Sequence, residues 1–138
     1  MQRTGTLTAI CLVLTLGCPA PQDRSVSGGP KSGRAEELVR EIKIKLKLPT
    51  EVDDNTRLDD VRALSETEVG YFLTLTRTSE TEDGKPLAGP IEAMLRAQAC
   101  ENPSYTQLFE AGLSLRMTYQ KDQVEIARIK LTPSDCGH

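Results

Sequence analysis

Residues suited to nucleophilic or acid–base chemistry are few in this sequence. Its 138 residues include one histidine, His138, and four cysteines. A Ser-His-Asp or Cys-His site needs a histidine that the fold holds in place, whereas chain ends fray. Because His138 is the last residue, we expect no histidine-dependent catalysis. The sequence also has no glycine-rich phosphate loop, so we expect no cofactor.

Carboxylates are the remaining candidates for chemistry. They form two adjacent pairs, Asp53-Asp54 and Asp59-Asp60, followed by Glu66 and Glu68. Paired carboxylates can act as acid and base or bind calcium. However, DDNTRLDD lacks the alternating spacing of a calcium loop, and adjacent side chains on a strand point to opposite faces. We therefore expect no catalytic residue and no metal site, with a carboxylate-dependent hydrolase as an alternative.

Charge and composition exclude one class of partner and indicate the kind of core. The 17 basic and 20 acidic residues, which give a formal net charge of −3, are mixed along the chain. This distribution provides no basic patch, so we expect no nucleic-acid partner. With three tyrosines, two phenylalanines and no tryptophan, the core must rest on aliphatic side chains. A chain of 138 residues has room for one domain.

The N-terminus has the plan of an export signal. Arg3 precedes an apolar run, Leu7 to Leu16, that only threonines interrupt. The run is too short for a permanent transmembrane helix, which needs about 20 residues. A core helix is the alternative, but it would show polar residues at helical spacing. We therefore expect export, with removal of this segment.

Two cleavage sites compete after this run. A general signal peptidase could cut before Pro21, but proline after the scissile bond makes a poor substrate. The alternative cut lies between Gly17 and Cys18. There LTLGC, residues 14–18, resembles the bacterial lipoprotein signal, in which a small residue precedes a cysteine that receives a diacylglycerol. The resemblance implies a signal peptide at 1–17, lipidation of Cys18 and attachment to a membrane through this lipid anchor.

The next segment has the composition of a tether. PAPQDRSVSGGPKSG, residues 19–33, holds three prolines, three glycines and three serines. It cannot bury enough apolar surface to offset the entropy of ordering. We expect 18–33 to be a lipidated cysteine followed by a flexible tether with a reach of about 20–25 Å. Residues 34–138 then form a single domain.

The remaining cysteines predict a disulfide. Cys11 leaves with the signal and Cys18 is lipidated, so Cys100 and Cys136 form one pair in an oxidising compartment. Their bond would close a loop of 37 residues. In the chain-entropy model such a loop contributes about 4 kcal/mol to stability. Two reduced thiols are the alternative.

The pattern of apolar residues behind the tether predicts a mixed domain. Helical spacing predicts a helix from Arg34 to about Lys45, although IKIKLKL, residues 42–48, alternates strictly and fits a strand equally well. Strands follow at 56–64, with a bulge at Asp59-Asp60, and at 69–76. Two helices then begin at Pro90 and at Pro103, and Asn102 caps the second of them. Strands at 113–119 and 124–131 complete the domain. The predicted fold class is α+β, a four-stranded antiparallel sheet with helices on one face and the order α-β-β-α-α-β-β.

Three lysines near the tether suggest a lipid contact that depends on local structure. If residues 42–48 are a strand, Lys43, Lys45 and Lys47 share one face and can rest on anionic lipid, at about 1 kcal/mol each. If the segment is a helix, Lys45 turns away from the other two. Solvated lysines are the alternative.

A wider resemblance covers most of residues 38–136. The order LPTEVDDNTRLDDV (48–61), an aromatic-bearing strand, a helix with a cysteine, GLSLRMTY (112–119) and a final SDC (134–136) resembles a loose group of small exported bacterial proteins of uncharacterised function. The resemblance is in keeping with the disulfide and the topology, and it implies no particular activity.

These observations predict a lipid-anchored binding or accessory module of the bacterial cell envelope without catalytic activity. Its partner would be an envelope protein or polymer that the sequence does not identify. Pro19, directly after the anchor cysteine, lacks the aspartate that retains some lipoproteins at the inner membrane, which favours the outer membrane, facing the periplasm. The alternatives are an inhibitor or immunity-type protein against an envelope-targeting enzyme, and the carboxylate-dependent hydrolase.

Overall fold

A computed structural model describes residues 33–138, which form three α-helices, five strands and a short C-terminal 3₁₀-helix. In chain order they are α1 (Arg34–Lys45), β1 (Thr50–Asp53), β2 (Thr56–Ser65), β3 (Glu68–Leu75), α2 (Ala88–Gln98), α3 (Pro103–Glu110), β4 (Ser114–Lys121), β5 (Val124–Leu131) and the 3₁₀-helix (Pro133–Cys136). The predicted signal peptide, lipidated Cys18 and tether up to residue 32 lie outside the described residues. Within 33–138, no helix is long and apolar enough to cross a membrane.

Helix α1 forms because its apolar residues recur at helical spacing. Ala35 and Val39 are buried on the side that packs on the sheet. The helix continues to Lys45, so the strand interpretation of residues 42–48 is wrong. The shared lysine face that depended on that strand is wrong too. Instead, the Nζ atom of Lys43 lies 2.9 Å from Oδ1 of Asp60 on β2.

Helices α2 and α3 form one continuous connection between β3 and β4. Helix α2 begins at Ala88, two residues before the proline expected to open it. Helix α3 has the predicted cap, since the Asn102 side chain accepts a hydrogen bond from the backbone N–H of Ser104, at 2.9 Å, with Pro103 in the first turn. Gly112, with φ of 79°, then turns the chain into β4.

The sheet has five strands in the order β1-β2-β3-β4-β5, so the prediction of four antiparallel strands is wrong in two respects. Strand β1 was not predicted, because its four residues are too short to show a period. Strands β3 and β4 pair in parallel, while every other pair is antiparallel. The α2–α3 connection is long enough to return the chain to the end of the sheet at which β3 begins, which parallel pairing requires.

The sheet has two local features, a bulge in β2 and a tight hairpin between β4 and β5. The β2–β3 register shifts between Leu58 and Asp60, at the bulge expected there. The β4–β5 hairpin turns at Asp122 and Gln123, whose φ angles of 51° and 67° are both positive. Positive φ at both central residues matches the natural twist of a two-residue hairpin.

One face of the sheet and all three helices share a single core. The helices contribute Ala35, Val39, Ile91, Leu95, Leu108 and Phe109. Buried apolar side chains from four strands meet them: Leu58, Val61, Val69, Tyr71, Leu73, Leu75, Leu115, Met117, Tyr119, Ala127, Ile129 and Leu131. The opposite face of the sheet, called the open face below, carries partly exposed polar residues, as a one-sided α+β sheet requires.

The C-terminal segment is tied to the helical layer by the predicted disulfide. The Sγ atoms of Cys100, just after α2, and Cys136 are bonded at 2.11 Å. The 3₁₀-helix between β5 and the chain end is capped by Thr132 and Asp135, whose carboxylate accepts from the Thr132 N–H at 2.6 Å. This N–H lowers the pKa of Asp135 below its ordinary value.

Candidate functional site

A cleft between α1 and α3, called the α1–α3 cleft below, is a concave surface of the helical layer. Residues 34–41 line one part of the cleft together with residues 107–111, and residues 38–46 line the other part together with residues 104–108, so the two helices run in opposite directions. The cleft has two connected halves of different chemistry, which share Leu38, Glu41 and Gln107 as walls.

The apolar half has a volume of about 190 Å³. Leu38, Ile42 and Leu46 recur every four residues from α1 into the segment that follows it, and thus line one wall. Leu108 of α3 lies opposite, and Tyr71 of β3 lies at the base of the cleft with 8% of its surface exposed. Leu46 is 38% exposed although it is a large aliphatic residue, so this half presents apolar surface to solvent.

Tyrosine rings support the base of the apolar half. The rings of Tyr71 and Tyr105 meet edge to face, with centroids 6.5 Å apart and planes at 81°. Burial raises the pKa of Tyr71 to about 12, and it also raises the pKa of Tyr105. Both hydroxyl groups therefore stay neutral at physiological pH and cannot serve there as general bases.

The polar half has a volume of about 430 Å³ and lies toward the start of α1. Its charged residues are Arg34, Glu37 and Glu41 of α1 and Glu110 of α3. All four are exposed, and three carboxylates against one guanidinium leave this half with a net charge of −2. Lys45 stands at the far end, beside the apolar half. The cleft is therefore apolar at one end and acidic at the other.

The carboxylates that the sequence singled out lie elsewhere. The side chain of Asp53 accepts from the backbone N–H of Asn55, at 2.8 Å, in the β1–β2 turn, where Asp54 is exposed. Asp59 accepts from Arg57 Nε at 2.6 Å and from the Thr74 hydroxyl. These side chains cap a turn and complete ion pairs on the sheet.

Asp60 takes different partners from its neighbour Asp59. Its carboxylate accepts from Arg62 Nε at 2.6 Å and lies 2.9 Å from Lys43 Nζ, so it links α1 to β2. Hydrogen bonds from Arg62 and then Lys43 lower the pKa of Asp60 from 3.8 to about 2. A carboxylate held ionised by two cations is poorly suited to donate a proton near neutral pH.

Glu68 is the most buried of these acids, with 8% of its surface exposed. Its Oε1 atom lies 2.6 Å from Arg116 Nε, in an ion pair that lacks good hydrogen-bond geometry. Its Oε2 atom lies 3.3 Å from Lys130 Nζ. Glu66 is exposed in the β2–β3 turn. Across residues 33–138, no group of three or more histidine, cysteine or acidic residues is arranged to hold a metal ion.

The sequence identified none of the cleft residues as functional. Leu38 and Ile42 fit an ordinary core stripe, and Glu37, Glu41 and Glu110 fit a solvated helix face. The apolar Leu46 just beyond α1 was a possible signal in the sequence, but it becomes informative only once the structure shows that it is exposed and that α3 lies beside α1. His138 is exposed at the chain end.

Comparisons with known proteins identify the fold. The sequence matches no family model and no curated protein. The structure is similar to the pilotin EpsS of the type 2 secretion system of Vibrio vulnificus, with a TM-score of 0.60, 14% identity and coverage of 75% of this chain and 89% of that one. It is similar to the type II secretion pilotin AspS of Vibrio cholerae, with a TM-score of 0.56, 16% identity and coverage of 74% and 88%.

A third similar structure is a protein of Pseudomonas aeruginosa assigned as secreted. Its TM-score is 0.58 at 11% identity, with 74% of this chain and 92% of that one covered. In all three comparisons, the similar region covers nearly the whole of the other protein's chain. These likenesses establish a shared fold.

Proposed function

We propose that this chain is a lipid-anchored accessory protein of the bacterial cell envelope, of the pilotin type, which binds a protein of a secretion system and catalyses no reaction. The observation that carries the proposal is the common fold with two secretion pilotins, which extends over 89% and 88% of their lengths. A shared fold does not by itself transfer a function. Two further features of this chain therefore bear on the proposal.

The N-terminal sequence supports anchoring. LTLGC at 14–18 and the Gly/Pro/Ser-rich segment behind it match a lipidated cysteine followed by a tether. A tether of 15 residues would let the domain move about 20–25 Å from its anchor. In this proposal Cys18 holds the protein in the outer membrane, facing the periplasm, with the domain within reach of other envelope proteins.

The distribution of side chains favours binding over catalysis. Asp59, Asp60 and Glu68 are each engaged by cationic partners on the sheet. The α1–α3 cleft offers exposed apolar surface beside polar groups, and its tyrosines are neutral. Such a surface suits a polypeptide partner better than a reaction that requires a nucleophile and a base.

Lipidation is tested by metabolic labelling with an alkyne fatty acid, followed by membrane fractionation. We expect the wild-type protein to carry the label and to sediment with outer membranes. Cys18→Ser should lose the label and become periplasmic. Cys11→Ser is the matched control, because that cysteine lies in the predicted signal peptide. Equal labelling of Cys18→Ser and the wild type would refute the anchor.

The accessory role is tested by deleting this gene from a bacterium that carries it together with a type II secretion system. We expect release of a secreted reporter enzyme to fall at least tenfold and to recover with the wild-type gene but not with Cys18→Ser. Unchanged secretion in the deletion strain, with the reporter released at the wild-type rate, would refute the pilotin role.

A further inference from the structure

We infer that a group of cations on the open face of the sheet rests on the anionic phospholipid headgroups of the membrane that holds the anchor. This group, called the cationic patch below, consists of Arg62, Arg116, Arg128 and Lys130. The inference rests on the anchoring part of the proposed function and adds to it the surface that faces the lipid. The helical layer, with the α1–α3 cleft, then faces away from the membrane.

The register of the sheet brings these cations together from three strands. Arg62 of β2 lies opposite Gly70 of β3, which lies opposite Arg116 of β4. Arg116 in turn lies opposite Lys130 of β5, and Arg128 comes two residues earlier on the same face. The neighbours of each cation along its own strand pack in the core, so the cations belong to the open face. With paired strands about 4.8 Å apart, the patch extends about 15 Å across the sheet. Because three strands contribute, the mixed order of charges along the chain does not show the patch.

The positive charges lie outermost in the cationic patch. Each cation is paired with a carboxylate whose side chain is less exposed than its own. The clearest case is Glu68, whose side chain is 11% exposed, while those of its partners Arg116 and Lys130 are 35% and 51% exposed. A surface that approaches this face therefore meets guanidinium and ammonium groups before it meets carboxylates. The polar half of the α1–α3 cleft, in contrast, is acidic and would be repelled by anionic headgroups.

Two apolar side chains lie among the cations. Leu64 is exposed, and its side chain covers the gap that Gly70 leaves in the middle of the patch, because a Cβ there would be only 2.7 Å from Cδ1 of Leu64. Phe72 is partly exposed, and the guanidinium carbon of Arg62 lies 4.7 Å from the centroid of its ring. Leucine and phenylalanine beside lysine and arginine are typical of segments that lie on a membrane surface.

The place where the domain begins favours the lipid surface as the occupant. A Cβ on Gly33 would lie 3.2 Å from the Cα atom of Glu66, so the last residue of the proposed tether lies against the β2–β3 turn. Arg62 is four residues from Glu66, which is at most about 13 Å along a strand. The proposed tether reaches about 20–25 Å, so the patch and the bilayer can meet. A short flexible tether also gives an effective concentration in the millimolar range, so a weak contact is enough to orient the domain.

The lipid preference is tested with the mature chain carrying Cys18→Ser, so that no acyl chain contributes to binding. Vesicles of phosphatidylcholine alone are compared with vesicles of equal parts phosphatidylcholine and phosphatidylglycerol. A lysine or arginine near an anionic surface strengthens binding about fivefold, so we expect cosedimentation at low salt to be at least tenfold stronger with the anionic vesicles. The preference should shrink in 1 M salt, where the screening length is about 3 Å. Equal sedimentation with both vesicles would overturn the inference.

An acidic polypeptide is the other occupant that a cationic surface could take. Polyglutamate, added at the same concentration of negative charge as the anionic vesicles, is the probe for it. We expect it to displace little of the bound chain, because it offers no interface for Leu64 and Phe72. Displacement of half of the chain or more would overturn the assignment of the patch to lipid.

Matched variants locate the contact. The test variant neutralises three cations of the patch: Arg62→Gln, Arg128→Gln and Lys130→Gln. The two deepest carboxylates each keep one cation in this variant, Asp60 with Lys43 and Glu68 with Arg116. The control variant makes the same change of net charge on α1 and the segment after it, where three cations are exposed: Arg40→Gln, Lys45→Gln and Lys47→Gln. We expect the test variant to lose at least tenfold in binding to anionic vesicles and the control less than threefold. Equal losses would refute this location.

A second measurement needs no substitution in the patch. The lipid-anchored wild type is placed in each of the two kinds of vesicle and acetylated with an N-hydroxysuccinimide ester, and the modification of each lysine is measured by mass spectrometry. We expect acetylation of Lys130 to be at least fivefold slower in the anionic vesicles, with Lys45 and Lys47 unchanged. Equal rates at Lys130 in the two vesicles, or the same protection of Lys45, would overturn the orientation.

Failure of this inference is distinguishable from failure of the proposed function. If metabolic labelling finds no lipid on Cys18 but the chain prefers anionic vesicles through the patch, the lipid contact stands and the anchor is wrong. If Cys18 carries the lipid and the chain shows no such preference, the anchor stands and the inference is wrong. The secretion assay tests the pilotin role independently of both results.

Discussion

Replacement of Asp60 tests the link between α1 and the sheet. This carboxylate contacts both Lys43 and Arg62, which hold its pKa at about 2 instead of 3.8. At about 1.36 kcal/mol per pKa unit, the difference gives an upper bound of about 2.4 kcal/mol of stability. The side chains of Lys43 and Arg62 are 44% and 60% exposed, however, so solvent screens the pairs. We therefore expect Asp60→Asn to cost about 1 kcal/mol at pH 7.

The pH dependence of that loss follows from the direction of the pKa change. Because the folded pKa lies below the unfolded value, the carboxylate stabilises the fold fully above about pH 4 and loses its contribution as the pH falls toward 2. The wild type and Asp60→Asn should therefore differ at pH 7 and converge near pH 2. For a domain of this size, about 1 kcal/mol corresponds to a Tm difference of about 4–8 °C.

Thermal unfolding followed by circular dichroism at several pH values measures this effect. The matched control is Asp54→Asn, since Asp54 is exposed in the β1–β2 turn and has a similar sequence environment. We expect the control to lower the Tm by less than Asp60→Asn at pH 7. A loss for Asp60→Asn that is the same at pH 2 as at pH 7, or no loss at pH 7, would show that the ion pairs do not stabilise the link.

Two further predictions concern packing and the disulfide. In Gly70→Ala, the new Cβ would lie 2.7 Å from Cδ1 of Leu64, so the exposed Leu64 side chain must rotate away, and we expect a loss of about 0.5–1.5 kcal/mol in urea unfolding. Leu64→Ala should remove most of this loss in a double-mutant cycle, and additive effects would contradict the steric explanation. The Cys100→Ser, Cys136→Ser protein, whose bond spans a separation of 36 residues, should lose about 4 kcal/mol relative to the oxidised wild type. Equal midpoints in urea would contradict it.

Local sequence signals predicted the individual elements well. The spacing of apolar residues identified α1 and α2, and Asn102 before Pro103 identified α3 because a side-chain cap and a proline act within one turn. The phase slip at Asp59-Asp60 identified the bulge in β2. Each of these features depends on residues that are near one another in the chain, so it can be predicted from the sequence alone.

The pairing of strands was less predictable. Strand β1 has four residues, too few for an alternation to be distinguished from a loop. The parallel pairing of β3 with β4 depends on where the α2–α3 connection returns the chain, which is a property of packing over long sequence distances. Alternation along each strand is the same in parallel and antiparallel sheets and does not distinguish them.

The sequence by itself determined the helices, four of the five strands, the pairing of Cys100 with Cys136 and the expectation of an anchored envelope protein. Only the tertiary structure decided the strand order, the partners of each carboxylate and the existence of the α1–α3 cleft. The cleft exists because α3 brings Glu110 and Leu108 beside residues of α1 that lie more than 60 positions earlier in the chain. Such a surface forms only when side chains from distant segments come together, and the spacing of residues along the chain does not show which distant segments will be neighbours.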